Sequence, residues 1–147
     1  MTLKASTGLR NKVLDTGSLK AALDGGKLNI YAGPVPATAD DALGSATLLC
    51  AVTLNSTGAG INFDAAAVNG VLAKDPGQVW SGVNVASGTA TFYRHVATGD
   101  TGVLSTTQAR IQGEIGTAGK EINLSSVALV SGATQALDYY SVALPTL

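Results

Sequence analysis

Two spacings divide this chain. Before Lys27 apolar residues recur about every four positions, and after it they alternate with polar ones every two. In the first stretch Ser6 or Thr7 can cap a short helix in which Leu9 and Val13 share a face. Asp15-Thr16-Gly17-Ser18 interrupts it, Ser18 can cap a second helix carrying Leu19, Ala22 and Leu23, and Gly25-Gly26 is the stop. Leu28 and Ile30 then open a strand that ends at Gly33-Pro34-Val35-Pro36. Residues 37–44 have room for one helical turn capped by Thr38 or Asp40, and the adjacent Asp40-Asp41 suits a helix start.

Further along, residues 46–54 read as a strand buried on both faces, turned by Asn55-Ser56-Thr57-Gly58. Ile61 and Phe63 alternate next, residues 64–73 are ambiguous, and Asp75-Pro76-Gly77 is a turn. Residues 78–85, with Trp80, are expected to be extended. From 86 to 96 the alternation puts Ala90, Phe92 and Arg94 on one face and Thr89, Thr91, Tyr93 and His95 on the other. After a turn at 98–102, Ile111, Gly113 and Ile115 share a face, and Gly116-Thr117-Ala118-Gly119 reads as a hairpin tip. Strands at 122–124 and 127–130 and a last one over 137–144 complete the pattern. Short strands at this spacing with Gly-rich turns predict an all-β fold, a single jelly-roll-like β-sandwich with a helical N-terminal segment. The division expected is residues 1–26 as a helical arm and residues 27–147 as the β domain.

Composition bears on function more than on fold. The chain has 147 residues, enough for one core, with 46% apolar and only 13% charged residues. Mean hydropathy is +0.27, yet no run approaches the roughly 20 apolar residues that span a bilayer. The start of the chain lacks a signal-peptide pattern, so synthesis in a reducing cytoplasm is expected. Net charge is −1 and the basic residues form no stripe, so neither a membrane nor a nucleic acid is an expected partner. Low charge near neutrality instead points to a surface largely covered by other protein. Four of the nine basic residues, Lys4, Arg10, Lys12 and Lys20, lie in the first 26 positions. Those residues either pack as helices on the sheet or form a basic arm for a neighbour's surface.

Side chains for chemistry are sparse. The one cysteine, Cys50, lies in an apolar run and reads as a small buried hydrophobe. The one histidine, His95, sits in a strand beside Arg94, which would disfavour an imidazolium, and there is no Gly-x-Ser-x-Gly elbow. It reads as a surface or sheet-face residue. Asp40-Asp41 and Glu114 with Glu121 are the only paired carboxylates with the flavour of glycoside hydrolysis, and each has a simpler structural reading. The glycine clusters lack the lysine and the strand-to-helix setting of a phosphate loop. No catalytic residue, metal or cofactor is expected. An aromatic platform for sugars would have to draw on Tyr31, Trp80, Tyr93, Tyr139 and Tyr140, of which the last two must face opposite ways in a strand.

Several strings carry a resemblance. Ala5-Ser6-Thr7-Gly8-Leu9-Arg10-Asn11, the run from Ile30 through Pro34-Val35-Pro36 to Ala42, Ser87 to Arg94, Arg110-Ile111-Gln112-Gly113, and Asn123 through Tyr140 resemble a family of small virion-associated proteins of tailed bacteriophages. The resemblance runs along nearly the whole chain, and its motifs are turn-rich rather than catalytic. It implies a non-enzymatic part of the particle, foremost a decoration (cement) protein on the outer surface of the head. Such a protein binds the lattice of the major capsid protein as a dimer or trimer. The candidate contact residues are then Leu9, Arg10, Lys12, Val13, Leu19 and Lys20 of the first segment, with Trp80. A tail, connector or fibre-associated subunit and a host-glycan-binding module are the competing expectations.

Overall fold

A computed structural model describes residues 3–146. In chain order the elements are β1 (Lys4–Ala5), α1 (Thr7–Leu14), α2 (Leu19–Leu23), β2 (Lys27–Ala32), β3 (Thr47–Leu54), β4 (Val71–Ala73) and β5 (Trp80–Val83). They continue with β6 (Gly88–Thr89), β7 (Phe92–Val96), β8 (Arg110–Gly116), β9 (Ile122–Asn123), β10 (Ala128–Leu129), β11 (Thr134–Ala136) and β12 (Ser141–Ala143). The fold is all-β. One eight-stranded sheet runs β1-β8-β7-β2-β3-β5-β11 with β9 beside β8, and β10-β6 and β12-β4 form two ribbons. This layout is sandwich-like.

Strand register sorts the side chains into two layers. Leu28, His95 and Ile111 lie side by side, as do Ile30, Tyr93 and Gly113, with Val52 and Cys50 next in line on β3. Phe63, Trp80 and Tyr140 close over this face to form the main core. Gly113 is required there: a Cβ would sit 2.7 Å from Cε1 of the Tyr93 ring. The other face carries Asn29, Arg94 and Gln112 in one row, and it too is buried. Loop carbonyls cover it, because Arg94 reaches Thr38 O, Gln112 reaches Pro36 O and Arg110 reaches Ala39 O. That double covering makes all of β7 buried.

The helices start and stop where the local chemistry says. Ser6 caps α1, its hydroxyl accepting from Leu9 N–H, and Ser18 caps α2 by accepting from Ala21 N–H. Gly25 ends α2 at a φ of 81°, where a side chain would strain, and its N–H is taken by Ile61 O and Asn62 Oδ1.

Four expectations need correction. Residues 1–26 do not stand apart as an arm: β1 pairs with β8, and Leu9, Ala22 and Leu23 belong to the main core. The hydrophobic face of two short helices has no other place to bury. Residues 37–44 form no helix. Asp40 instead caps α1 from 33 residues away, accepting from Thr7 N–H at 2.8 Å and Thr7 Oγ1–H at 2.6 Å. The run 116–119 is not a hairpin tip, since β9 pairs parallel to β8 (Ile115 with Ile122, Gly116 with Asn123). The Asn123 side chain ties that loop by bonding both Lys120 N–H and Lys120 O. The last strand is two: β11 pairs with β5, the chain changes partner through Asp138-Tyr139-Tyr140, and β12 pairs with β4.

Candidate functional site

The feature with most to offer a partner is an apolar groove between the α1–α2 corner and the β4–β12 ribbon. α1 stops at Leu14 and Gly17 turns the chain, so Val13 at the helix end and Leu19 at the start of α2 come together. Opposite them, the pairing of Leu72 with Val142 brings the ribbon alongside, and Leu144 N–H holds Gly70 O at 3.0 Å. The cavity between has a volume of about 300 Å³, and Lys20 completes its lining. Its charge is spent locally, with Nζ 2.5 Å from Asp24 Oδ2 and 3.1 Å from Phe63 O, so the lysine contributes mainly its aliphatic stem. Of the residues that line this groove, Leu144 is 70% exposed and Val13 40% exposed. Exposed apolar residues scattered singly are ordinary, but a cluster around a concavity marks a contact surface.

Of the residues singled out from the sequence, Val13, Leu19 and Lys20 therefore meet in one site. Arg10 and Lys12 are exposed on α1 outside its lining, and Arg10 Nη2 donates to Thr7 Oγ1. Leu9 and Trp80 cannot touch a partner, because both are buried in the core. Leu9 is on the helix face that meets the sheet. Trp80 is enclosed by Phe63, His95 and Tyr140, its ring centroid 5.6 Å from that of Tyr140, and its Nε1 donates to Gln78 Oε1. Sequence reasoning missed Leu72, Val142 and Leu144, which needed the ribbon pairing to come together.

The residues with chemical potential are occupied structurally. His95 lies wholly inside the aromatic cluster, 5.2 Å centroid to centroid from Phe63, and neither ring nitrogen makes a hydrogen bond of normal geometry. Burial pushes its pKa down to about 4, against a weaker pull from the Leu23 carbonyl and the Asp24 carboxylate. The sequence neighbour Arg94 points to the opposite face and is not the cause. Burial pushes the Cys50 thiol up to about 11, which makes thiolate chemistry inaccessible near neutrality. Glu114 holds Lys120 Nζ at 2.6 Å and Glu121 accepts from Glu114 N–H, so both carboxylates already have partners. The hydrogen bond and charge of Lys120 keep Glu114 below the usual carboxylate range. Burial raises Asp40, but the two bonds from Thr7, with Arg10 and Arg110, outweigh it and hold the carboxyl low.

No group of three or more His, Cys, Asp or Glu side chains suited to a metal occurs among the described residues. No helix among them is long and apolar enough to cross a membrane. An aromatic row for sugars does not form from the expected residues: Tyr139 is 89% exposed, while Tyr31, Trp80, Tyr93 and Tyr140 are buried. Comparisons with protein-family models, curated proteins and solved structures give no match.

Proposed function

We propose that this chain is a non-enzymatic structural protein of a tailed-phage particle, a decoration protein that binds the major capsid protein on the outside of the head. The observation that carries the reading is the apolar groove at the α1–α2 corner, lined by the exposed Val13 and Leu144. The resemblance in the sequence supplies the capsid as partner, and the groove supplies a place to hold an apolar segment of it. A low charge suits a part that works by contact. Association as a dimer or trimer would leave one groove per copy for the lattice. Binding to the mature lattice in preference to other states would add its free energy to shell stability.

The test is quantitative mass spectrometry of purified particles, paired with a capsid-binding assay of the Val13→Asp/Leu144→Asp double variant. The expected result is a copy number comparable to the capsid protein, on the order of hundreds by lattice symmetry, and loss of binding by the folded double variant. A handful of copies would move the chain to the tail or connector. Absence from the particle would overturn the reading.

A further inference from the structure

The face of β2, β7 and β8 turned away from the aromatic core carries charge where a covered sheet face is ordinarily apolar. Asn29, Arg94 and Gln112 are adjacent in register, and Arg110 lies across from Val96. Arg110 is well satisfied. Its Nε and Nη2 form a fork to Asp100 at 2.6 and 2.8 Å, and the remaining bonds go to the carbonyls of Ala39, Asp40 and Val103.

Arg94 is not. It is 1% exposed, with Nε donating to Gln112 Oε1 at 2.9 Å and Nη2 reaching Thr38 O at 3.3 Å, while Nη1 is buried with no partner. The ion pairs among the described residues join Lys20 to Asp24, Arg110 to Asp100 and Lys120 to Glu114, which leaves Arg94 without one. Burial and the neighbouring Arg110 charge both lower its pKa, opposed by Tyr31, Asp100 and Asp41. A guanidinium nevertheless stays protonated, so the site holds an uncompensated buried cation.

Beside this cation lies a cavity of about 280 Å³ whose lining includes Arg94, Asn29, Tyr31 and Val96, all buried, and the exposed Lys27. Half-buried Leu43 and Leu48 add apolar wall. Asp100 also lines it, but both its oxygens are held by Arg110. Asn29 has an amide Oδ1 that, like Arg94 Nη1, is buried and unpartnered, and half a turn of the amide would present its N–H donors there instead. As placed, Arg94 Nη1 lacks an acceptor and Asn29 Oδ1 lacks a donor; with the amide turned, both present N–H groups in want of one acceptor beside an open cavity, which defines a site rather than a packing defect.

We propose that this cavity binds a small carboxylate. One oxygen accepts from Arg94 Nη1 and the other from the turned Asn29 amide, while the stem of the acid lies against Leu43, Leu48 and Val96. Lys27 adds a second positive charge from its exposed position. The site is separate from the apolar groove and does not depend on the capsid reading. A carboxylate could arrive as a free acid or as a glutamate side chain of a docked protein.

The experiment is an NMR titration of the full chain with sodium butyrate, with butyramide, sodium phosphate and a blocked glutamate (N-acetyl, N-methylamide) run at the same ionic strength. Expected are saturable shifts at Asn29, Tyr31 and Val96 with butyrate and none with butyramide. Arg94→Leu replaces an unpaired buried charge by an apolar side chain and should abolish the response. Lys27→Ala lies in solvent, leaves the fold intact, and should weaken binding about threefold, with a shallower salt dependence. It keeps the proposal testable if the Arg94 variant does not fold. Blocked glutamate binding as well as butyrate identifies a protein side chain as a competent source, and butyrate alone identifies a free acid. No saturable response to butyrate, an equal response to butyramide, preference for phosphate, or unchanged binding in both variants overturns the proposal.

Discussion

Lowering the pH from 7 to 5 protonates a histidine in an unfolded chain, because its pKa there is near 6.5, but leaves His95 neutral in the fold, where burial sets it at about 4. The unfolded state therefore binds more protons than the native state throughout this interval, so stability rises with pH and is lost on acidification. Full stability is present above the unfolded pKa and declines as the pH falls through 6.5 toward 4. The whole loss is about 3 kcal/mol, of which about 2 kcal/mol has gone by pH 5. For a chain of this size that is a fall in Tm of roughly 6 °C. His95 is the only histidine in the sequence, so the loss between pH 7 and 6 belongs to it, while the carboxyls held low in the fold, Glu114 and Asp40, add a smaller loss of the same sign as the pH nears 5. Urea unfolding at pH 7, 6 and 5 measures it, with the single tryptophan, Trp80, as reporter; it sits in the same aromatic cluster as His95. His95→Phe keeps the stack on Phe63 and removes the titrating group, so its midpoint should stay level between pH 7 and 6. A level profile in the native sequence, or an equal slope in His95→Phe, would refute the argument that desolvation governs this residue.

Two further outcomes probe the N-terminal segment. Ser6→Ala removes one hydroxyl that accepts from Leu9 N–H and Arg110 N–H and donates to Gln108 O, and should cost about 2 kcal/mol by urea midpoint; a loss under about 0.5 kcal/mol would mean that solvent replaces those bonds. Deleting residues 1–26 strips β1 and the core residues Leu9, Ala22 and Leu23, and should abolish cooperative unfolding. A truncated chain with a sharp transition and buried Trp80 emission would show that the segment is an independent arm after all.

Much of the fold was legible because its signals are local. Ser6, Ser18 and Gly25 mark helix ends through bonds to residues a few positions away or through a backbone angle, and those rules read directly from the chain. The alternation over 92–96 fixes which side chains share a face, and the structure keeps that alternation. The groove was half legible: Val13 and Leu19 are helix-end residues visible in order, but Leu72 and Val142 join them only through a strand pairing across 70 positions.

Sequence by itself determined the all-β class, the caps of the two helices and the scarcity of catalytic groups, since propensity, capping and composition act within a few residues. What each face is covered by was decided by tertiary structure alone. The sequence offers Asp40 as the start of its own helix, yet it caps α1, because an orphaned N–H donates to whichever carboxylate the fold delivers. Arg94 and His95, neighbours on one strand, end in opposite environments, one among loop carbonyls and one among aromatic rings. Their alternation was local, but the segments that bury them come from dozens of positions away, and desolvation depends on those segments rather than on the strand.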